Sequence, residues 1–188
     1  CIRDRGTLKD KIRREKHIAM RLLGLYMERV EVQSGKDNVT LEKAMDRAVE
    51  LAKADLMSEM VYEFTELQGL MGYYYAKALG EEEIVYNAIR EQYMPVGEGA
   101  ELPSTLFSSI VAMAIKLDTL IGLFSIGMIP TGSKDPFALR RAVNGIVRIV
   151  TTNNLGFHME DVIALLKGEY AAFDTQLLID FIIERIYK

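Results

Sequence analysis

Along most of the chain, apolar residues recur three and four positions apart, the spacing that gathers them on one side of an α-helix. All four prolines lie at or after Pro95, and everything before it reads as helices joined by short turns. A first helix is expected over about residues 7 to 32, closed by the turn "QSGKDN". A second is expected from near Thr40 to about Phe64, with Leu41, Ala44, Met45, Ala48, Ala52 and Leu56 toward the core. In "ELQGLMGYYYAKALG", Gly69 and Gly72 are spaced for close approach of helices, and Gly80 is placed to stop the helix they occupy. "EEEIVYNAIREQY" predicts a further helix with acidic residues in its first turn, where the helix dipole favours them.

After the loop "MPVGEGAELPS", the stretch "TLFSSIVAMAIKLDTLIGLF" is apolar enough to be the central helix. The loop "SIGMIPTGSKD" then leads to a helix signalled by Asp135 as cap and Pro136 behind it. Its apolar positions include Phe137, Leu139, Val143, Ile146 and Val150, which leaves Arg141, Asn144 and Arg148 as a polar stripe. "NNLGF" ends that helix, a short one follows over 159–169, and a new segment opens at about Ala171. An all-α bundle of about seven to eight helices results. We expect one domain over 1–169 and the start of another over 170–188.

Composition narrows the function less than the fold. The formal net charge of -4 makes a generally basic nucleic-acid binder implausible, so any contact with RNA has to come from a local patch. Lys134, Arg140, Arg141 and Arg148 make the best such patch, because a loop lysine, helix-start amides and arginines on the next turns can together hold phosphates. The same arginines could instead brace the loop or sit in solvent. The single cysteine, Cys1, excludes an internal disulfide and a zinc-finger site and suits a reducing compartment, with the cytoplasm as default. Runs such as "SSIVAMAI" and "LLIDFIIERI" are expected to be too short or too charged to cross a bilayer. The chain starts without methionine and stops within an apolar helical stretch, so we expect a piece of a longer polypeptide.

Two aspartates disturb the apolar faces. Asp55 falls on the stripe of Ala48 and Ala52, and Asp118 on that of Val111, Ala114 and Ile121. A carboxylate facing a core needs a partner, and metal, catalysis or a cluster with Lys11, Lys53 or Lys116 could each provide the reason. The layout "DKIRREKHIAMRL … AVELAKADL … KLDTL" is similar to helical HD-type phosphohydrolases, which hold a divalent metal with an early histidine, a His-Asp pair and a final aspartate. This chain has Lys11 at the early position, Ala54 and Asp55 at the pair, and only Asp118 matches the last ligand. Both imidazoles are gone, so no transition-metal site is expected, weak magnesium binding at the two aspartates stays open, and a degenerate HD-like scaffold with a Lys11 ion pair is the better reading. His17 and His158 are expected to be surface or packing residues.

Several longer stretches carry a more specific resemblance. "LAKADLMSEMVYEFTELQGLMGYYYA", "IREQYMPVGEGAELPS" and above all "PTGSKDPFALRRA" resemble the middle of the beta subunit of bacterial glycyl-tRNA synthetase, from about Gly6 to near the end of the chain. The resemblance implies part of a ligase of two alpha and two beta subunits, in which ATP and magnesium act at the alpha subunit and this piece holds no cofactor or catalytic centre. It implies an HD-like helical domain serving recognition of glycine-specific tRNA and assembly with the alpha subunit, followed from about Ala171 by the beginning of an anticodon-binding region. Lys134, Arg140, Arg141 and Arg148 become candidates for the tRNA backbone. Arg140 and Arg141 could equally brace the loop against Asp118, Glu63 or Glu66, whereas Arg148 has no sequence-local carboxylate. A metal-dependent phosphohydrolase and a purely structural spacer are the alternatives.

Overall fold

Thr7 opens the first helix, α1 (Leu8–Ser34), through a reciprocal cap: its hydroxyl accepts from the Asp10 amide while the Asp10 carboxylate accepts from the Thr7 amide. Gly35, at φ 68°, ends it in the left-handed conformation that glycine adopts without strain. The structure is a computed structural model, and it describes residues 6–132, 134–166 and 168–186. Helix α2 (Asn38–Leu51) is capped by Asp37 and buries Leu41, Ala44, Met45, Ala48 and Val49.

The expected second helix does not run on to Phe64. It stops at Leu51, and the chain turns through a 3-10 helix (Ala54–Met57) into the short α3 (Glu59–Glu63). Two contacts, one of them from a distant part of the chain, explain the break. The Ala52 carbonyl is taken by the Gln92 side-chain amide, and Ser58 caps the new helix by accepting from the Val61 amide. Leu56, expected in the core, is consequently 37% exposed.

Helices α4 (Leu70–Ala78) and α5 (Glu83–Glu91) pack closely at Gly72, where an added Cβ would lie 2.8 Å from Ile89 Cγ2. Helix α6 (Leu106–Phe124) runs through the centre, and every residue in it except Thr119 is buried. It packs against α1, α5 and α7 (Leu139–Thr152). At roughly 1.5–3 kcal/mol for each large aliphatic side chain taken out of water, this helix contributes more to the core than any other element can. Contrary to the sequence expectation, α6 is long and apolar enough to cross a membrane, but 94% of that stretch is buried inside the fold, as befits a core helix.

Two further helices, α8 (Met159–Leu165) and α9 (Thr175–Ile186), follow. Leu178 and Ile182 of α9 join the core, and Phe181 lies 5.4 Å from Phe124, ring centre to ring centre. The fold is all-α, with nine α-helices among the described residues. The expected count was about seven to eight, and splitting the second helix into α2 and α3 supplies the difference.

Candidate functional site

Helix α1 places Lys11, Arg14 and Glu15 on one turn, opposite Asp118 in the middle of α6. Lys11 Nζ donates to Asp118 Oδ2 at 2.7 Å, and Arg14 Nε donates to Asp118 Oδ1 at 2.7 Å. The Tyr170 hydroxyl, arriving from beyond α8, adds a third donor at 2.8 Å. Asp118 is wholly buried, which by itself would push its pKa up. Lys11 and Arg14 outweigh that penalty and hold the carboxyl below its ordinary value. The arginine gains in return, since Asp118 overcomes the burial that would lower its pKa and raises it. Lys11 also pairs with Glu15 Oε1 at 2.9 Å.

Asp55 is equally hidden but is held differently, and its Oδ1 has no hydrogen-bond partner among the described residues. One oxygen accepts from the backbone amides of Gly69 at 2.7 Å and Gly72 at 3.2 Å, the unpaired donors at the start of α4. Gly69 sits there at φ 79°, and Gly72 has no side chain to push the carboxylate away. Asp55 therefore acts as a cap on α4 from a distant part of the chain. Ala54, beside it, is exposed.

Neither remaining lysine of the predicted cluster reaches an aspartate. Lys53 Nζ donates to Gln92 Oε1 at 2.6 Å and lies 4.4 Å above the centre of the Tyr93 ring. Lys116 Nζ donates to the carbonyls of Tyr93 at 3.0 Å and Met94 at 2.7 Å. Burial lowers both lysines to about 8, and for Lys116 the nearby charge of Lys53 adds to the effect. Burial likewise raises the Tyr93 and Tyr170 hydroxyls.

The basic corner is assembled around the start of α7, although not as the sequence signal suggests. The helix begins at Leu139 and not at Pro136, because Asp135 to Ala138 form a turn ending in a left-handed Ala138, φ 57°. Asp135 still caps it, from further out, by accepting from the amides of Leu139 at 2.8 Å and Arg140 at 2.9 Å. The Arg140 guanidinium donates to the Gly132 carbonyl, so it braces the loop through a backbone oxygen and none of the three proposed carboxylates. Arg148 donates to the carbonyls of Gly97 at 2.9 Å and Ala100 at 2.7 Å, tying α7 to the loop before α6. Lys134 and Arg141 are exposed, and neither side chain has a hydrogen-bonding or ionic partner among the described residues.

Comparison with known proteins gives this arrangement its context. A family model described as glycyl-tRNA synthetase beta subunit matches residues 3–188. The chain belongs to the glycyl-tRNA synthetase beta subunit family. Relatives named glycine–tRNA ligase beta subunit are 50% identical over 96% of this chain in Helicobacter pylori strain G27 and 44% identical over 96% in Bacillus subtilis strain 168. One from Stutzerimonas stutzeri strain A1501 is 48% identical over 97%. The chain spans 26%, 25% and 25% of those relatives, about a quarter of their length.

Within this member of the beta subunit family, the positions similar to HD-type metal ligands hold a different chemistry. Lys11 and Arg14 occupy the two oxygens of Asp118, so a divalent ion there would have to displace two cations already paired with the carboxylate. Among the described residues no three His, Cys, Asp or Glu side chains gather within reach of one ion. The donor set does not fit a metal. His17 contacts Glu169 at 3.2 Å on the outer side of α1, and His158 precedes α8 at the surface.

Sequence reasoning named Lys11 as the partner of Asp118 but missed Arg14 and Tyr170. Arg14 was legible in principle, one helical turn after Lys11 on the same face. The approach of Tyr170 had no local signal, because 52 residues separate it from Asp118.

Proposed function

We propose that this chain is a non-catalytic scaffold and tRNA-contacting part of the beta subunit of glycine–tRNA ligase. In this reading the whole enzyme attaches glycine to its tRNA in the cytoplasm at the expense of ATP, with magnesium, on the alpha subunit, in an assembly of two alpha and two beta subunits. One observation carries the division of labour: the buried ionisable groups around Asp118 are tied to one another, while Lys134 and Arg141 stand exposed at one end of α7. The first arrangement favours rigidity over turnover. The second offers cations to a phosphate backbone, with Arg140 and Arg148 holding the loops beside them in place. HD-like architecture over 1–169 and the start of an anticodon-binding region at 170–188 fit this division of the chain.

The test is binding of glycine-specific tRNA to the assembled ligase across a salt series, with Lys134→Glu and Arg141→Glu compared with the unaltered enzyme. Each lost phosphate contact is expected to reduce the slope of log K against log salt by about one. Unchanged affinity, slope and aminoacylation in the double variant would instead support a structural spacer, the reading favoured by the bracing roles of Arg140 and Arg148. Metal-dependent phosphatase activity abolished by changing Asp55 or Asp118 would revive the phosphohydrolase alternative.

A further inference from the structure

Lys53 and Lys116 are buried ammonium groups that make no ion pair among the described residues. Charged lysines are rarely buried without a counter-ion, because neutral acceptors repay only part of the lost hydration. Their acceptors here are all neutral: the Gln92 amide and Tyr93 hydroxyl for Lys53, and two backbone carbonyls for Lys116. Both lysines, together with Lys11, line one cleft of about 390 Å³. Leu8, Leu56, Ala142 and the Tyr93 side chain help form its walls, which are mostly apolar.

Each ammonium carries three N–H donors. Lys11 directs one at Asp118 and pairs with Glu15 by charge without a hydrogen bond, while Lys53 directs two at Gln92 and Tyr93, and Lys116 two at the Tyr93 and Met94 carbonyls. At least one donor per lysine is left over. The local balance is also positive: Lys11, Arg14, Lys53 and Lys116 stand against Glu15, Asp55 and Asp118, and Asp55 is already committed to backbone amides. Helix α7 makes room for the arrangement. A Cβ at Gly145 would lie 2.7 Å from Lys116 Cε, so glycine there lets the lysine stem pass between α6 and α7 to the cleft.

We infer that this cleft binds a phosphate monoester, whose oxygens accept the leftover N–H donors of Lys11, Lys53 and Lys116 while its organic part rests on the apolar walls. A phosphate monoester is favoured over a carboxylate because it offers three terminal oxygens and close to two negative charges near neutral pH. Binding supplies the missing counter-ion and relieves the repulsion between Lys53 and Lys116. The site is separate from the exposed cations of α7 and does not depend on whether those meet tRNA.

The experiment is calorimetric titration of the full chain at low salt with inorganic phosphate, AMP and adenosine, and with an RNA oligomer bearing or lacking a 5′-phosphate. AMP is expected to bind at least tenfold more tightly than adenosine, and Lys53→Met to remove that difference. Lys43→Met, an exposed control on α2, is expected to preserve it. Met at position 53 replaces an uncompensated buried charge with an apolar chain of similar length, and thermal unfolding verifies that this variant folds. The unaltered protein gives a second readout. Phosphate-dependent affinity is expected to fall more than tenfold between about pH 7 and pH 9.5, well before ordinary lysines near pKa 10.4 lose their charge. Lys11, Arg14, Glu15, Asp55, Asp118, Tyr93 and Tyr170 are the other ionisable groups around the cleft and cluster.

Stronger binding of the phosphorylated oligomer than of AMP would identify an RNA terminus as the source of the phosphate, and comparable binding a free nucleotide. Equal affinity for AMP and adenosine, no phosphate-dependent heat at millimolar concentration, or AMP binding undiminished in Lys53→Met would overturn the proposal.

Discussion

Asp118 and Asp55 are both shut away from water, yet they solve the same problem by opposite means. Asp118 meets two cationic side chains from another helix, whereas Asp55 meets two uncharged backbone amides at the start of α4. The first solution makes three side chains depend on one carboxylate. The second makes one carboxylate organise a bend in the backbone. Removing the anion should accordingly strand cations in one place and loosen a helix end in the other.

The largest expected effect is that of Asp118→Ala, at about 3–5 kcal/mol, because it leaves the buried Arg14 without its anion and takes from half-buried Lys11 one of its two. Urea unfolding of the variant measures it, and a loss below about 1 kcal/mol would remove the distinction between the two sites. Acid sharpens the same point. The folded pKa of Asp118 is depressed, so its contribution is complete above the unfolded value near pH 3.9 and disappears as pH falls through the lower folded value. The stability gap between the variant and the unaltered protein should therefore narrow on going below about pH 4.

Lys11→Met comes next, at about 2 kcal/mol, since Asp118 retains Arg14 and Tyr170 while Glu15 loses its ion-pair partner. Asp55→Asn should cost the least, about 1 kcal/mol, because an amide oxygen can still accept from Gly69 and Gly72. Its signature is local. Amide exchange at those two glycines should accelerate while the core of α6 stays protected, and uniform acceleration would show that Asp55 supports the whole fold in the manner of Asp118.

Helical periodicity made most of the architecture legible: α1, α5 and α6 lie close to where the apolar spacing puts them. The break after Leu51 was harder to read, because residues 40–64 keep a helical distribution of apolar positions and the stop depends on Gln92 reaching the Ala52 carbonyl. Ser58 was the available local clue, as a capping residue inside an apolar run. At the start of α7, Asp135 and Pro136 announced a helix three residues early, since the aspartate caps across a turn that leads into left-handed Ala138. An ionic partner for Asp118 could be sought among the cations, and Lys11 was found from its place at the early position of the HD-type layout. Amide and carbonyl partners carry no residue type to search for. That is why the role of Asp55 as a cap and the hold of Arg148 on the 97–100 loop emerge only from the fold.

Tyr170 gives the segment after α8 a chemical attachment to the ionic cluster between α1 and α6. Its hydroxyl closes over the carboxylate that Lys11 and Arg14 already grip, and its ring lies 5.6 Å from the Arg14 guanidinium. Helix α9 hangs only a few residues beyond that fastening. A chain cut ahead of Tyr170 would thus be altered as well as shortened: water would gain a path to Asp118, and the innermost ion pairs would become sensitive to salt. The segment that carries Tyr170 serves as a seal on the electrostatics of the helical core.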